Sequence, residues 1–224
     1  MGYRLESFVP GNVYHIYNRG VNRTKIFLDD RDRFRFLANL MYYLKRGHYP
    51  GYVPAIKSNA ALKKFQELKK RKPKTGEGVV DLLCYCLMPN HFHLLLRENI
   101  NKGISTYMQR LLNSHVRYFN TKHERTGPLF DGSYRAVSVT ADEQFLHVTR
   151  YIHLNPYVAQ LVDDPFGYQW SSLTEYIPPV RSGICHAEFL RGVVKPPAYK
   201  KFVVDYADYA RELSVIKHLL LEKE

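Results

Sequence analysis

Apolar and polar positions along the chain follow two periods, and where one replaces the other marks the elements. Residues 12–18, Asn-Val-Tyr-His-Ile-Tyr-Asn, alternate and are rich in β-formers, which predicts a first strand. Phe34, Leu37, Leu40, Met41 and Leu44 then recur at steps of three and four, which predicts a helix capped by Asp29 or Asp30 and ended by Gly47 and Pro50-Gly51. Val79 to Leu87 reads as a strand, Met88-Pro89-Asn90 as a turn, and His91 to Arg97 as the returning strand of a hairpin. Ile104, Met108, Leu111, Leu112, His115, Val116 and Phe119 form the stripe of a helix over about 104–122. Ser133 to Val139 is a further strand. A helix capped by Thr140 or Asp142 runs from there to Asn155. Pro156, with no amide donor and a ring that crowds the preceding turn, should break or kink it, leaving Asn155 to cap a second helix.

The order β-α-β-β-α-β, then α, predicts an α+β fold. It is the ferredoxin-like split βαβ arrangement: a four- to five-stranded antiparallel sheet with helices on one face, and a free face or edge for a ligand. The pattern weakens beyond about residue 165, and a final helix is expected over about 195–222. The expected division is a domain over 1–173 and a helical C-terminal extension over 174–224. Residues 56–78 interrupt the domain as a basic insertion: a helical patch over 60–68, then Lys69-Lys70-Arg71-Lys72-Pro73-Lys74.

Composition narrows the class. With 224 residues and 45% hydrophobic content the chain can build a core. No apolar run approaches the roughly 20 residues that span a bilayer, and the N-terminal stretch lacks a signal-peptide apolar region. A Met-Gly start suggests myristoylation, but position 6 is Glu, so that motif fails. The expectation is a soluble, cytoplasmic protein with no membrane partner. Cys84, Cys86 and Cys185 are too few and too oddly spaced for a disulfide framework or a zinc knuckle, and read as buried thiols. Lys plus Arg at 33 against Asp plus Glu at 21 gives a net charge of +12, alongside 18 Tyr and 12 Phe. A basic chain with many ring faces suits nucleic acid, single strands especially.

The candidate chemistry starts at His91-Phe92-His93. On a strand, alternation turns both imidazoles to one face and Phe92, Leu94 and Leu96 to the other. Two imidazoles so placed are half of a metal site. Tyr151 and Asn155, four apart on a helix, share a face. Asn155 can lend an amide oxygen to a hard cation and Tyr151 can bring a phenol to its edge. Two imidazoles and an amide oxygen suit Mg²⁺ or Mn²⁺, with Zn²⁺ also open. A phenol so placed can attack a phosphodiester in line and keep the bond energy in a phosphotyrosine linkage, so a strand can be broken and rejoined. Tyr118, and less so Tyr107, are rival nucleophiles. His15, on the first strand, could point toward the metal, but reads first as a hydrogen-bonded structural histidine, and His153 reads as a surface or supporting residue. Arg19, Arg23, Arg110, Arg117 and Arg135 are candidate phosphate contacts, as are Lys70, Arg71 and Lys72 in the insertion. Tyr17 and Tyr134 could stack on unpaired bases.

The ordered set of Met-Pro-Asn-His-Phe-His-Leu-Leu-Leu over 88–96 and Tyr-Ile-His-Leu-Asn-Pro over 151–156 closely resembles the single-tyrosine HUH transposases. The nearest branch is the REP-associated tyrosine transposases. Tyr14-His15-Ile16-Tyr17-Asn18-Arg19-Gly20, Ile26-Phe27 with Asp29-Asp30, Gly127-Pro128-Leu129-Phe130 before Tyr134-Arg135-Ala136, and Trp170-Ser171-Ser172 agree in order, so the likeness covers about 10–173. The resemblance implies that 1–173 is an HUH transposase-like catalytic domain, with His91 and His93 as metal ligands and Tyr151 as nucleophile. Asn155 stands where the wider family carries a glutamine ligand. The resemblance further implies a metal-dependent single-stranded DNA endonuclease and strand transferase acting at hairpin DNA through a 5′-phosphotyrosine intermediate, as monomer or homodimer. The alternatives are an inactive hairpin-binding protein and a metal phosphodiesterase that uses water.

Overall fold

The structure, a computed structural model, describes residues 7–44, 73–179 and 183–221. The elements are β1 (Val13–Arg19), α1 (Asp30–Tyr42), β2 (Val80–Leu87), β3 (His91–Glu98), α2 (Gly103–Lys122), β4 (Arg135–Val139), α3 (Asp142–Val158), α4 (Glu188–Val193) and α5 (Pro196–Leu221). The strands form one antiparallel sheet in the order β2-β3-β1-β4, the order of the split βαβ fold.

Alternation along β3 decides the two faces. Phe92, Leu94 and Leu96 turn toward α1 and α2 and are fully buried. The Phe36 ring of α1 stands 5.3 Å from Phe92, and His115 of α2 packs 5.0 Å from Phe36. These two helices lie on one face, as expected. α3 lies across the other, where His93 points, so the histidine face is roofed at one end rather than left bare. Asp29 caps α1 by accepting from the Asp32 amide at 3.0 Å, and Asp32 in turn takes the Lys122 ammonium of α2 at 2.6 Å.

The sheet is open on one side among the described residues. The outer edge of β2 is paired by returning chain: the Leu87 amide donates to the Trp170 carbonyl at 2.9 Å and the Ser172 amide to the Tyr85 carbonyl at 3.0 Å. β4 carries the unpaired edge.

α3 differs from the sequence reading at both ends. Its cap is Ala141, with no side-chain acceptor, rather than Thr140 or Asp142. Gln144 instead reaches back to accept from the Thr140 amide at 2.9 Å. Pro156 does not break the helix, which runs on to Val158. Only the Ile152 carbonyl loses its helical donor, so little is forfeited so near the end. Asn155 therefore caps no second helix; its amide donates to the Tyr151 carbonyl at 2.9 Å.

The C-terminal chain joins the same core. Tyr176, Ile184, Leu190, Tyr199 and Val203 fall in one apolar cluster with Ile16, Leu82 and Phe92. α5 grips α3 along one face. Tyr199 hydroxyl lies 2.8 Å from His153 Nδ1, Tyr157 hydroxyl donates to Asp208 at 2.6 Å, and the Arg150 guanidinium sits 3.9 Å from both the Phe202 and Tyr206 rings. Of the basic insertion only 73–78 is described; the helical patch and Lys70, Arg71 and Lys72 lie outside the described residues. No described helix is long and apolar enough to cross a membrane.

Candidate active site

Three loops meet at the end of the sheet where β1 finishes and β3 and β4 begin. The Gly20 amide donates to the Asn90 carbonyl at 2.8 Å, the Ile26 amide to the Pro89 carbonyl at 2.9 Å, and the Asp131 amide to the Arg19 carbonyl at 2.9 Å. Gly20 is required at this junction, since a Cβ there would fall 2.1 Å from the Thr24 carbonyl oxygen. Asn22 and Arg23 lie beyond it in left-handed backbone, with φ of 51° and 58°. The tight reversal turns Arg23 into the same cleft as Arg19.

That cleft holds about 320 Å³. Its floor is Tyr17, His91 and His93 on the sheet, with Asn18 and Asn90 at the strand ends. Arg19, Arg23 and Arg135 rim it with positive charge, offset by Asp131, whose carboxylate lies 3.0 Å from the Arg19 guanidinium. Tyr151 of α3 closes one side. Its ring stands edge-on to His93, centroids 5.5 Å apart, and is 54% exposed.

The two histidines of β3 are both held by one ring nitrogen. His91 Nδ1 is 2.7 Å from Asn90 Oδ1, and the Asn90 amide group is fixed by donating to the Arg23 carbonyl at 3.3 Å. His91 thus donates through Nδ1 and keeps a lone pair on Nε2. His93 Nδ1 is 2.9 Å from His15 Nε2, across from β1, and the two rings stack. His93 Nε2 is buried and has no hydrogen-bond partner. Burial pushes the three imidazoles down from the ordinary range, His15 to about 4, His93 well below, and His91 against a hydrogen bond with Asn155 that works the other way. All three are neutral at pH 7, the form that binds metals.

These residues fit a divalent cation. A buried imidazole nitrogen with no partner, a second imidazole beside it, and an amide within hydrogen-bonding reach of that second ring can make a donor set of two nitrogens and one oxygen. Because the Asn155 amide nitrogen already donates to the Tyr151 carbonyl, Oδ1 is the atom it can offer. No cluster of three or more His, Cys, Asp or Glu with metal-holding geometry occurs among the described residues, so the remaining donors must be amide, water or substrate oxygen.

Other candidates are placed elsewhere. Tyr118 hydroxyl donates to Asp32 at 3.2 Å on the α1–α2 layer, and the fully buried Tyr107 donates to the Leu40 carbonyl at 2.8 Å. Neither reaches the cleft. Arg110 and Arg117 lie on α2, over the opposite sheet face, and do not line it. Tyr134 turns away toward Ser105, while Tyr17 is in place on the floor. His153 is not a surface residue: it is fully buried, with Nε2 2.8 Å from Ser172 Oγ and 3.2 Å from Cys84 Sγ. Cys84, Cys86 and Cys185 are buried free thiols, as their spacing suggests.

Sequence reasoning passes over Asn90 and Asp131. His15 is within its reach. Tyr17 pairs with His93 in the register of β1 and β3, and His15, two residues back, must share its face.

Comparison with known proteins agrees with the motif. Residues 53–155 match the model of the IS200-like transposase family, a stretch that holds His91, His93, Tyr151 and Asn155. Among solved structures, a REP-associated tyrosine transposase bound to a REP hairpin superposes with a TM-score of 0.52. It is 11% identical and covers 79% of this chain and 85% of that one, a likeness of fold. No curated protein matches the chain. The resemblance read from residues 88–96 and 151–156 is borne out at the level of the family pattern and of the fold.

Proposed function

We propose that this protein is a metal-dependent single-stranded DNA endonuclease and strand transferase that acts beside hairpins through Tyr151. The observation that carries the reading is the stance of Tyr151: an exposed phenol edge-on to a buried, ligand-ready imidazole in a cleft rimmed by arginines. The IS200-like match over the same residues supports the reaction class. The structural likeness to a transposase that holds a REP hairpin supports the choice of hairpin DNA.

Arg19, Arg23 and Arg135 draw the sugar–phosphate backbone into the cleft and fix one phosphate near His91 and His93. His91, His93 and the Asn155 oxygen would hold Mg²⁺ or Mn²⁺. Bound there, the cation would supply charge neutralisation at the scissile phosphate and at the leaving oxygen. The Tyr151 oxygen forms its bond to phosphorus as the P–O3′ bond breaks, and the proton given up by the phenol ends on the freed 3′-hydroxyl. The 5′-phosphate stays on Tyr151. Attack by a 3′-hydroxyl reverses the step and rejoins a strand. Tyr17, half-buried on the cleft floor, offers a ring face to an unpaired base.

The test incubates the protein and hairpin-bearing single-stranded DNA with Mn²⁺ and reads a denaturing gel. A protein–DNA adduct is expected, lost in Tyr151→Phe. An adduct in Tyr151→Phe would refute the nucleophile, and cleavage by a His91→Ala, His93→Ala double variant would refute the metal site. Cleavage with no adduct in wild type would instead favour a water-using phosphodiesterase.

A further inference from the structure

His15 has no part in the chemistry above, yet it contacts a histidine of the cleft floor directly. Its Nε2 lies 2.9 Å from His93 Nδ1, both side chains are buried, and the rings stack with centroids 5.1 Å apart. A hydrogen bond between two imidazoles has one proton, and its placement fixes the tautomer of each ring.

The two arrangements are not equivalent. If His15 Nε2–H donates, His93 accepts through Nδ1 and carries its proton on Nε2. That N–H would be buried with no acceptor, since His93 Nε2 has no partner. Buried donors without acceptors are the rarest kind of unpaired group. If His93 Nδ1–H donates, Nε2 keeps its lone pair and His15 carries its own proton on Nδ1. That nitrogen is not among the buried atoms lacking a partner, so the proton has somewhere to go. The second arrangement strands no donor.

We infer that His15 is the positioning residue of the metal centre: its Nε2 accepts from His93 Nδ1–H and so keeps the His93 Nε2 lone pair facing the cleft. It does for His93 what Asn90 Oδ1 does for His91 at 2.7 Å. A histidine ligand held through its second nitrogen keeps both tautomer and ring orientation before the cation arrives. The geometry comes from strand register. Tyr17 pairs with His93 and His15 with Leu95, so His15 reaches His93 diagonally on the shared face. The inference rests on the metal reading and goes beyond it, because it names a residue that need touch neither cation nor DNA.

The test uses the full chain without DNA. Mn²⁺ affinity is read by titration calorimetry or by the EPR signal of free Mn²⁺ for wild type, His15→Phe, His15→Gln and the His91→Ala, His93→Ala double variant. Circular dichroism and melting check that each is folded. His15→Phe fills the space with no acceptor and should weaken Mn²⁺ roughly 10- to 100-fold, the usual effect of losing such a partner. His15→Gln, whose amide oxygen can accept from His93, should recover most of that loss. Wild-type affinity in His15→Phe overturns the inference, as does an equal loss in Phe and Gln. If the double variant binds Mn²⁺ as wild type does, the metal reading itself fails, a distinct outcome. Nitrogen-15 spectra of the metal-free protein give an answer independent of the variants. His93 protonated on Nδ1 is expected, and protonation on Nε2 overturns the proposal.

Discussion

Two histidine clusters sit on the same face of the sheet, a short way apart along α3, and they are built oppositely. Around His153 every ring nitrogen is used: Nδ1 meets the Tyr199 hydroxyl at 2.8 Å and Nε2 meets Ser172 at 2.8 Å, all of it buried. Around His93 one nitrogen is used and the other is left over. The first cluster binds β2, α3 and α5 into one body. The second has a lone pair to spare beside an exposed phenol and three arginines. A spare nitrogen alone does not make a site, because His115 Nδ1 is also buried without a partner. His115 Nε2 meets the Ile26 carbonyl at 2.9 Å, and the ring lies among Phe27, Phe36, Phe119 and Phe130 rather than in the wall of the arginine-rimmed cleft. The lesson is that a ligand-seeking histidine is marked by its spare nitrogen together with the company that nitrogen keeps.

The contrast can be broken from either side. The largest effect is expected from His91→Ala, which should abolish metal-dependent cleavage while the melting temperature moves by only a few degrees; parallel cleavage assays and thermal melts check it. His153→Ala should do the reverse. It removes one partner each from the Tyr199 and Ser172 hydroxyls and leaves a cavity, so about 2–4 kcal/mol of stability should go, or very roughly 10 °C in a chain this size. Adduct formation at low temperature should survive. If the two variants behave alike, the division between the clusters is wrong.

Acid sharpens the comparison further. His15 and His115 are held to about 4 and His153 to about 3, by burial first of all. Well above pH 6.5 these imidazoles are neutral folded or unfolded, and contribute nothing to the pH dependence. As pH falls below 6.5 the unfolded chain takes protons that the folded chain refuses, so stability drops until about 4, where the folded rings begin to protonate. Metal-free melts from pH 8 to pH 4.5 should be flat at first and then fall with growing slope. A flat profile throughout would mean the rings are not buried as described. The smallest effect belongs to the rim: Arg23→Ala should weaken hairpin binding modestly and lower the salt slope by about one, measured by fluorescence anisotropy across a salt series.

Much of this is legible from residues alone. Alternation over 91–96 puts both histidines on one face, and a spacing of four puts Tyr151 beside Asn155 because a helix brings such positions together. Which side of the sheet α3 covers is not legible, since a local period carries no such information. Pro156 misleads for a related reason. The rule that proline breaks helices concerns interiors, and this one lies within the last turn. Arg110 and Arg117 are candidates by charge type alone, and charge type does not say which layer an arginine occupies. Asp131 escapes notice because a carboxylate in a phosphate-binding cleft runs against the charge argument; only the loop geometry reveals it paired with Arg19.

α3 serves two masters on interleaved residues. Arg150, His153 and Tyr157 answer to α5, while Tyr151 and Asn155 answer to the cleft. Each residue advances the helix by about 100°, so these roles are a matter of phase. A single alanine inserted after Ile152 would leave Arg150 and Tyr151 where they are and turn everything beyond by that angle. No rotation of the helix could then seat Arg150 and His153 against α5 together, nor bring Tyr151 and Asn155 to the same side. Substitutions here should be graded in their effect, and insertions or deletions all-or-none. What this helix has to conserve through descent is its count between residues 150 and 157, more strictly than most of the letters in between.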